Sequence, residues 1–348
     1  MKTTLFPFRF PTAALAALAL ATACNPKKDD VPAPAVTVTN TVYVVDEGAS
    51  NAAVSLFDKA SKAVQLDRYA AANGGSQLGA ILQSMTIIGD KAYLVGNGSD
   101  EVRVVGLADF KLQNTITGVS QPRYLVAVGT DKAYLTEWLG GFPNYTGRVS
   151  VIDLKTNKVT KQITVGNAPD EMLLVDNKLY VTASYGAALT VINTTTDAVE
   201  STVPMPDGPK NILRDGSGNI WVLCSKYLAA KDYLVRFAPA SSAAAQQTRI
   251  EFPNSYANGN LRANADGSRI YVSLGQGTYQ LAPNATALPA TPLIRRNFYG
   301  LGIDPQDNTI YAGTGGFTGS DKVIRYSATG APLDSFAVAD GPNSFLFR

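Results

Sequence analysis

Residues 124–165 read YLVAVGTDKAYLTEWLGGFPNYTGRVSVIDLKTNKVTKQITV, four short apolar segments separated by turn residues. The segments 124–128, 132–136, 149–153 and 158–165 predict four strands. Gly129-Thr130-Asp131 and residues 154–157 predict tight turns, and residues 137–147 predict an eleven-residue loop. Strands of this length joined by such turns form an antiparallel sheet.

The second of these segments contains a pattern that recurs along the chain. An apolar residue, an aromatic residue and a small or aliphatic residue follow one another at seven places. They are Val42-Tyr43-Val44, Ala92-Tyr93-Leu94, Ala133-Tyr134-Leu135, Leu179-Tyr180-Val181, Ile220-Trp221-Val222, Ile270-Tyr271-Val272 and Ile310-Tyr311-Ala312. Neighbouring rings lie 40 to 50 residues apart, a period typical of propeller blades. The sequence therefore predicts an all-β fold, a seven-bladed β-propeller of four-stranded antiparallel blades.

The two ends of the repeat region predict how the ring closes. The first segment, 41–45, matches the second strand of a unit, so the first unit lacks its innermost strand. Residues 341–348, GPNSFLFR, match residues 207–214, DGPKNILR, at the start of another unit. We expect the C-terminal strand to complete the first blade and the propeller to span residues 41–348. Such closure removes the free edges of an open sheet.

Several repeats resemble those of YVTN-type, or YncE-like, β-propellers. The resemblance is carried by residues 149–159 (VSVIDLKTNKV), 179–182 (LYVT) and 189–196 (LTVINTTT). It covers about residues 42–348 and is strongest from 121 to 205. It implies the propeller fold, and that fold hosts many functions.

The first 23 residues predict a secretory signal peptide. Lys2 and Arg9 precede the apolar run 11–20, and small residues follow before Cys24. Residues 21–24, ATAC, resemble a lipobox, which implies cleavage before Cys24 and lipidation of its sulfur. The alternative is a chance cysteine near an ordinary cleavage site.

Residues 24–40 predict a lipid-anchored flexible tether. Within it, Lys28-Asp29-Asp30 resembles the export signal of Bacteroidota-type outer-membrane lipoproteins; a plain solvated charge run is the alternative. The expected location is the outer membrane, lipid-anchored and facing the cell exterior. The formal charge of +2 falls to zero once Lys2 and Arg9 are removed, which argues against a nucleic-acid partner.

The chain contains no histidine, the commonest general base and metal ligand. Ser-His-Asp and Cys-His catalysis are therefore impossible. Cys224, the other cysteine, is expected to be a small buried apolar residue. We expect a protein that is not an enzyme and has no cofactor or metal.

The loops before the innermost strands and after the second strands share one propeller face, where binding residues usually lie. We predict aromatic ligand contacts that supply area and polar anchors that fix orientation. The aromatic residues are Trp138, Tyr145, Tyr185, Tyr227 and Phe317, and the polar residues are Arg123, Lys210, Asn211 and Asn258. For each ring, simple packing between blades is the alternative.

The expected function is a surface binding protein that captures a nutrient. The repeat, the anchor and the export signal together resemble cobalamin-capturing lipoproteins of the BtuG kind. That resemblance implies cobalamin as a candidate ligand and a TonB-dependent transporter as a candidate partner. A cell-surface protein-interaction or structural propeller is the first alternative. An enzyme resembling propeller lactonases, phytases or quinoprotein dehydrogenases is the second.

Overall fold

The computed structural model describes residues 40–226, 229–253, 259–319 and 321–348. The predicted signal peptide 1–23, the lipidation site Cys24 and the tether up to residue 39 lie outside them. All described residues belong to the compact unit Thr37–Arg348. In this described part, no helix has the length and apolar character that crossing a membrane would require.

Twenty-seven strands form seven antiparallel sheets in the described chain. Those of blades 1 to 3 are β1 (Thr41–Asp46), β2 (Ala53–Asp58), β3 (Val64–Gln65), β4 (Leu82–Ile88), β5 (Lys91–Gly96), β6 (Glu101–Gly106), β7 (Leu112–Ile116), β8 (Pro122–Val128), β9 (Lys132–Leu139), β10 (Thr146–Asp153) and β11 (Lys158–Val165). Those of blades 4 and 5 are β12 (Pro169–Val175), β13 (Lys178–Ala183), β14 (Ala188–Asn193), β15 (Ala198–Pro204), β16 (Pro209–Arg214), β17 (Ile220–Cys224), β18 (Lys231–Phe237) and β19 (Thr248–Pro253). Those of blades 6 and 7 are β20 (Asn260–Ala263), β21 (Ile270–Leu274), β22 (Gly277–Leu281), β23 (Gly300–Ile303), β24 (Ile310–Gly313), β25 (Lys322–Tyr326) and β26 (Pro332–Ala337), and β27 (Pro342–Phe347) returns to blade 1.

The blades close into a ring through β27. In blade 1 the strand order is β27-β1-β2-β3, with Val44 opposite Phe345. The inner strands contact one another in the cyclic order β27, β4, β8, β12, β16, β20, β23 and back to β27. The seven-bladed propeller and its closure by the C-terminal strand are thereby confirmed.

Blade 6 differs from the other six sheets because its ladder has three strands, β20-β21-β22. An isolated antiparallel bridge between Thr278 and Ile294 takes the outer position. The segment that would supply a fourth strand contains Pro283, Pro289 and Pro292. Proline has no amide hydrogen and cannot continue a ladder, so this segment follows the blade without pairing along it.

Two short helical segments interrupt the sheets. Helix α1 (Arg68–Ala72) lies between β3 and β4, and the side chain of Asp67 accepts a hydrogen bond from the amide of Ala70 at 3.0 Å. The side chain of Tyr69 in this helix is buried and packs in the core between blades 1 and 2. A 3-10 helix, Ala244–Gln246, lies between β18 and β19, in the stretch 238–247 whose composition predicts a loop.

The seven repeated aromatic residues all lie in the second strand of a blade and all are buried. They are Tyr43, Tyr93, Tyr134, Tyr180, Trp221, Tyr271 and Tyr311. The second strand of a blade pairs with a strand of its own sheet on each edge, and the adjoining blades cover both of its faces. Large side chains are needed there to fill the space between the blades. The repeat is thus explained by packing between blades.

The predicted loop 137–147 is shorter in the structure. Strand β9 continues to Leu139 and β10 begins at Thr146, and Trp138 pairs with Gly147 across the hairpin. The prediction that Trp138 lies in an eleven-residue loop is wrong. A side chain at position 147 would collide with Pro169. Glycine at this position therefore allows the hairpin to include the pairs Gly147–Trp138 and Thr146–Leu139.

Candidate functional site

A cavity of about 240 Å³ lies at one mouth of the central channel, and all seven blades contribute to it. Most of its lining residues come from the starts of the inner strands. They are Gln83, Arg123, Asp170, Lys210, Asn260, Tyr299 and Asn343, one from each blade. We refer to this space as the mouth cavity.

A second cavity of about 240 Å³ lies deeper along the same strands. Its wall is more apolar than that of the mouth cavity and includes Met85, Leu125, Met172 and Phe345. Tyr124, Glu171, Arg262 and Ser344 line both cavities and so mark the boundary between them. The channel therefore becomes less polar below the mouth.

Polar side chains of the mouth cavity bind one another across blade boundaries. Arg123 Nε donates to Asp170 Oδ1 at 2.9 Å, and its Nη1 donates to Gln83 Oε1. The other oxygen of Asp170 accepts from the hydroxyl of Ser184. Three blades are joined by this chain, which holds the Arg123 guanidinium in place.

Glu171 forms a second junction on the cavity wall. It accepts from Asn211 Nδ2 at 3.0 Å, from the amide of Ile212 at 3.1 Å and from Arg262 Nη1 at 3.2 Å. Arg262 belongs to blade 6 and Glu171 to blade 4, so the ion pair spans blade 5 inside the channel. Burial raises the pKa of the adjacent Tyr124, and the charge of Glu171 adds to the effect.

On the blade 1 side, Tyr299 donates its hydroxyl proton to Glu47 Oε2 at 2.7 Å. Asn343 Nδ2 donates to the same oxygen at 3.3 Å. Burial raises the pKa of Tyr299, and the nearby carboxylate of Glu47 raises it further. Tyr299 therefore stays a neutral hydrogen-bond donor.

Lys210 and Asn211 both line the mouth cavity from blade 5. Burial lowers the pKa of the Lys210 ammonium, while the carboxylates of Asp170, Asp232 and Glu171 act in the opposite direction. Burial is the larger of the two opposing effects on the Lys210 amine.

Four aromatic rings form a cluster at the rim of the mouth cavity. Trp138 lies 4.8 Å from Tyr145 and 6.2 Å from Tyr185, and Phe142 lies 6.3 Å from Tyr185. The guanidinium of Arg123 stacks 4.2 Å from the Trp138 ring. We call Trp138, Phe142, Tyr145 and Tyr185 the rim cluster; Arg123 joins it to the cavity.

Residues 40–347 of the chain match a family model described as a domain of unknown function, DUF5074. The chain belongs to the DUF5074 family. No curated protein sequence matches it.

Solved structures share the fold of this DUF5074 domain at low sequence identity. A functionally unknown protein from Desulfotomaculum acetoxidans has a TM-score of 0.64 at 9% identity, with 88% of this chain and 98% of that chain covered. A candidate 6-phosphogluconolactonase from Bacteroides fragilis has a TM-score of 0.62 at 15% identity, covering 91% and 99%. Hydrazine synthase from Kuenenia stuttgartiensis has a TM-score of 0.61 at 16% identity, covering 75% and 87%. At these identities the likeness shows the propeller fold alone.

Six of the nine predicted contact residues in the DUF5074 domain lie in one region. Arg123, Lys210 and Asn211 line the mouth cavity, and Trp138, Tyr145 and Tyr185 form part of the rim cluster. Phe317 is placed elsewhere on the rim, 5.1 Å from Tyr299. Tyr227 and Asn258 lie outside the described residues.

The nine predicted residues leave out eleven of the fourteen described residues that line the cavity, among them Glu47, Gln83 and Arg262. Glu47 comes four residues after Tyr43, as Trp138 does after Tyr134, so aligning the repeats could have found it. Arg262 lies three residues into β20, where nothing in the sequence distinguishes a channel residue from a blade residue.

Two further sequence expectations concern metals and Cys224. Among the residues described in the DUF5074 domain, no three Cys, Asp or Glu side chains are grouped as metal ligands would be. Cys224 is a buried free thiol, and burial raises its pKa. It is a packing residue of the core between blades 4 and 5.

Proposed function

We propose that this chain is a binding protein that takes a small polar molecule into the mouth cavity without transforming it. The observation that carries the proposal is that polar side chains from all seven blades converge on one concave space. Its volume of about 240 Å³ is smaller than the roughly 300–1,000 Å³ of sites for drug-sized ligands. The ligand is therefore a small molecule.

The rigidity of the lining supports binding. Asp170 and Glu171 are each held by donors from other strands, and Arg123 is held by two blades and a ring. Side chains fixed before the ligand arrives lose little conformational entropy on binding. A chain without histidine that positions its carboxylates in this way is better suited to recognition than to proton transfer.

Cobalamin is far larger than the mouth cavity. As a ligand it would lie across the rim cluster, with only a side group entering the channel. The rim cluster also supports the second candidate function, a surface for protein interaction, because Phe142 is 67% exposed there. Exposed aromatic residues are enriched at protein interfaces.

Trp138→Ala should weaken ligand binding by about 2 kcal/mol or more, because central aromatic contacts dominate binding surfaces. The change also removes the ring that supports Arg123 and the Nε1 hydrogen bond to the carbonyl of Pro169 at 2.9 Å. The measurement is native mass spectrometry of the full chain after exposure to a cobalamin-containing metabolite extract. The bound fraction is compared between the parent and the variant.

Thr156→Ala is the matched control, because Thr156 is exposed in the turn between β10 and β11 on the opposite face. It should bind as the parent does. A parent that acquires no adduct from the extract would count against the binding function. Equal binding by Trp138→Ala and the parent would show that the rim cluster is not part of the binding site.

We further propose that the protein is exported, anchored through Cys24 and displayed on the cell exterior, where it passes its ligand to a TonB-dependent transporter. Residues 21–24 and 28–30 support this proposal by their resemblance to a lipobox and an export signal.

Cys24→Ser should release the protein from the membrane fraction, because acyl chains on that sulfur would be its anchor. Asp29→Ala combined with Asp30→Ala should leave it anchored but facing the periplasm. Cell fractionation tests the first variant and protease shaving of whole cells the second. If shaving removes the double variant as readily as the parent, residues 28–30 do not direct export.

A further inference from the structure

The charges that line the mouth cavity do not all pair with one another. Asp170 binds Arg123 and Glu171 binds Arg262, both as ion pairs. One acid, Glu47, and one base, Lys210, remain outside these pairs. The cavity thus has one unpaired charge of each sign.

Lys210 has a free ammonium group. Its Nζ makes no hydrogen bond or ion pair with any residue that the structure describes, although it lines the cavity. Next to it, Asn211 lines the same wall, and its Nδ2 donates to Glu171 Oε1 at 3.0 Å.

Glu47 has a free carboxylate oxygen. Oε2 accepts from Tyr299 and Asn343, whereas Oε1 has no donor among the described residues. No described cation lies within ion-pair distance of Glu47, and the residue is part-exposed into the cavity. Both of its present donors are neutral, so its negative charge is available to a cation.

The two free charges come from different sides of the channel. Glu47 follows β1 in blade 1, and Lys210 lies in β16 of blade 5, with blades 6 and 7 between them in one direction. A ligand that satisfies both must have its own charges separated by several bonds. An α-amino acid, whose two charges are adjacent, does not meet this requirement.

We propose that the mouth cavity binds a small zwitterion the size of a dipeptide, with its carboxylate at Lys210 and its ammonium at Glu47. This inference rests on the proposed binding function and specifies its ligand class. Charge-assisted hydrogen bonds at both ends fix the orientation of such a ligand.

The test uses glycylglycine as the probe in titration calorimetry with the full chain. 5-Aminopentanoate has the same number of atoms between its charges but no amide. Pentanoate and pentylamine each retain one charge. Glycylglycine and 5-aminopentanoate should both bind, and each singly charged molecule should bind at least about tenfold more weakly than 5-aminopentanoate, because a hydrogen bond to a charged group is lost.

Lys210→Met and Glu47→Gln should each weaken glycylglycine binding by about tenfold or more, and Lys210→Arg should restore part of the loss. Removing an unpaired, partly buried charge should not destabilise the fold, so both variants should melt no lower than the parent. Lys155→Met is the matched control, because Lys155 is exposed on the opposite face. It should bind as the parent does.

Equal binding of pentanoate and glycylglycine, unaffected by Glu47→Gln, would show a simple anion site and overturn the zwitterion. Adducts from the metabolite extract without binding of any of the four probes would also overturn it, while leaving the binding function standing. If the protein acquires no adduct from the extract and binds none of the four probes, both the binding function and the zwitterion proposal are overturned.

Discussion

A chain shortened by residues 344–348 will lose most of its folding stability. The deletion removes the pairs of β1 with Ser344, Phe345, Leu346 and Phe347 and leaves an inner edge of blade 1 open. Phe345 and Phe347 both pack against Tyr311, with ring centroids 6.0 and 5.2 Å away. Truncating one buried phenylalanine costs about 3–5 kcal/mol, and a folded domain has only about 5–15 kcal/mol in total.

The deletion is measured by thermal unfolding, together with hydrogen exchange of the β1 amides. Phe347→Ala provides a graded variant if the shortened chain does not fold. Leu333→Ala is the control, since Leu333 is 53% exposed on the outer strand β26. A shortened chain that melts within about 2 °C of the parent would show that β27 does not hold the ring together.

Glu137→Ala should destabilise the protein by about 3–5 kcal/mol, because it leaves a charge without its partner in a buried place. Glu137 is fully buried, and its Oε2 accepts from the amide of Ser120 at 2.6 Å and from Arg148 Nη2 at 2.7 Å. Its Oε1 accepts from the hydroxyl of Ser150. Denaturant unfolding measures the loss of stability.

The control for Glu137 is an exposed ion pair in the same blade. Lys155 and Asp131 lie 2.6 Å apart with side chains 70% and 58% exposed, so Asp131→Ala should leave the denaturation midpoint unchanged. Glu137 precedes Trp138, and its loss should also disturb the rim cluster. A Glu137→Ala protein as stable as the parent would mean that Arg148 reaches solvent when its partner is removed.

The fold could be predicted from the sequence because every blade must fill the same kind of space between itself and its neighbours. Tyr134 and its six equivalents fill the space between blades, and that requirement fixes an aromatic residue at a regular spacing. The outer strands have no such requirement. In blade 6 the proline-containing segment 282–297 joins the sheet only at the bridge between Thr278 and Ile294, and the sequence does not predict that bridge.

The site could be predicted from the sequence only in part, for a physical reason. Arg123 and Lys210 lie where the repeat alignment places the channel mouth, so their position follows from the fold. The pairing of side chains across the channel does not follow from the fold, because Glu171 and Arg262 are 91 residues apart and belong to blades that are not neighbours. Which charges neutralise each other, and which stay free, is decided only by the closed ring.

Blade 1 has a consequence for biogenesis. It pairs residue 42 with residue 347, so this sheet cannot form until nearly the whole propeller has been synthesised. Asn343 and Ser344 of that late strand also line the mouth cavity. A chain that ends before this strand therefore lacks part of the wall of the mouth cavity.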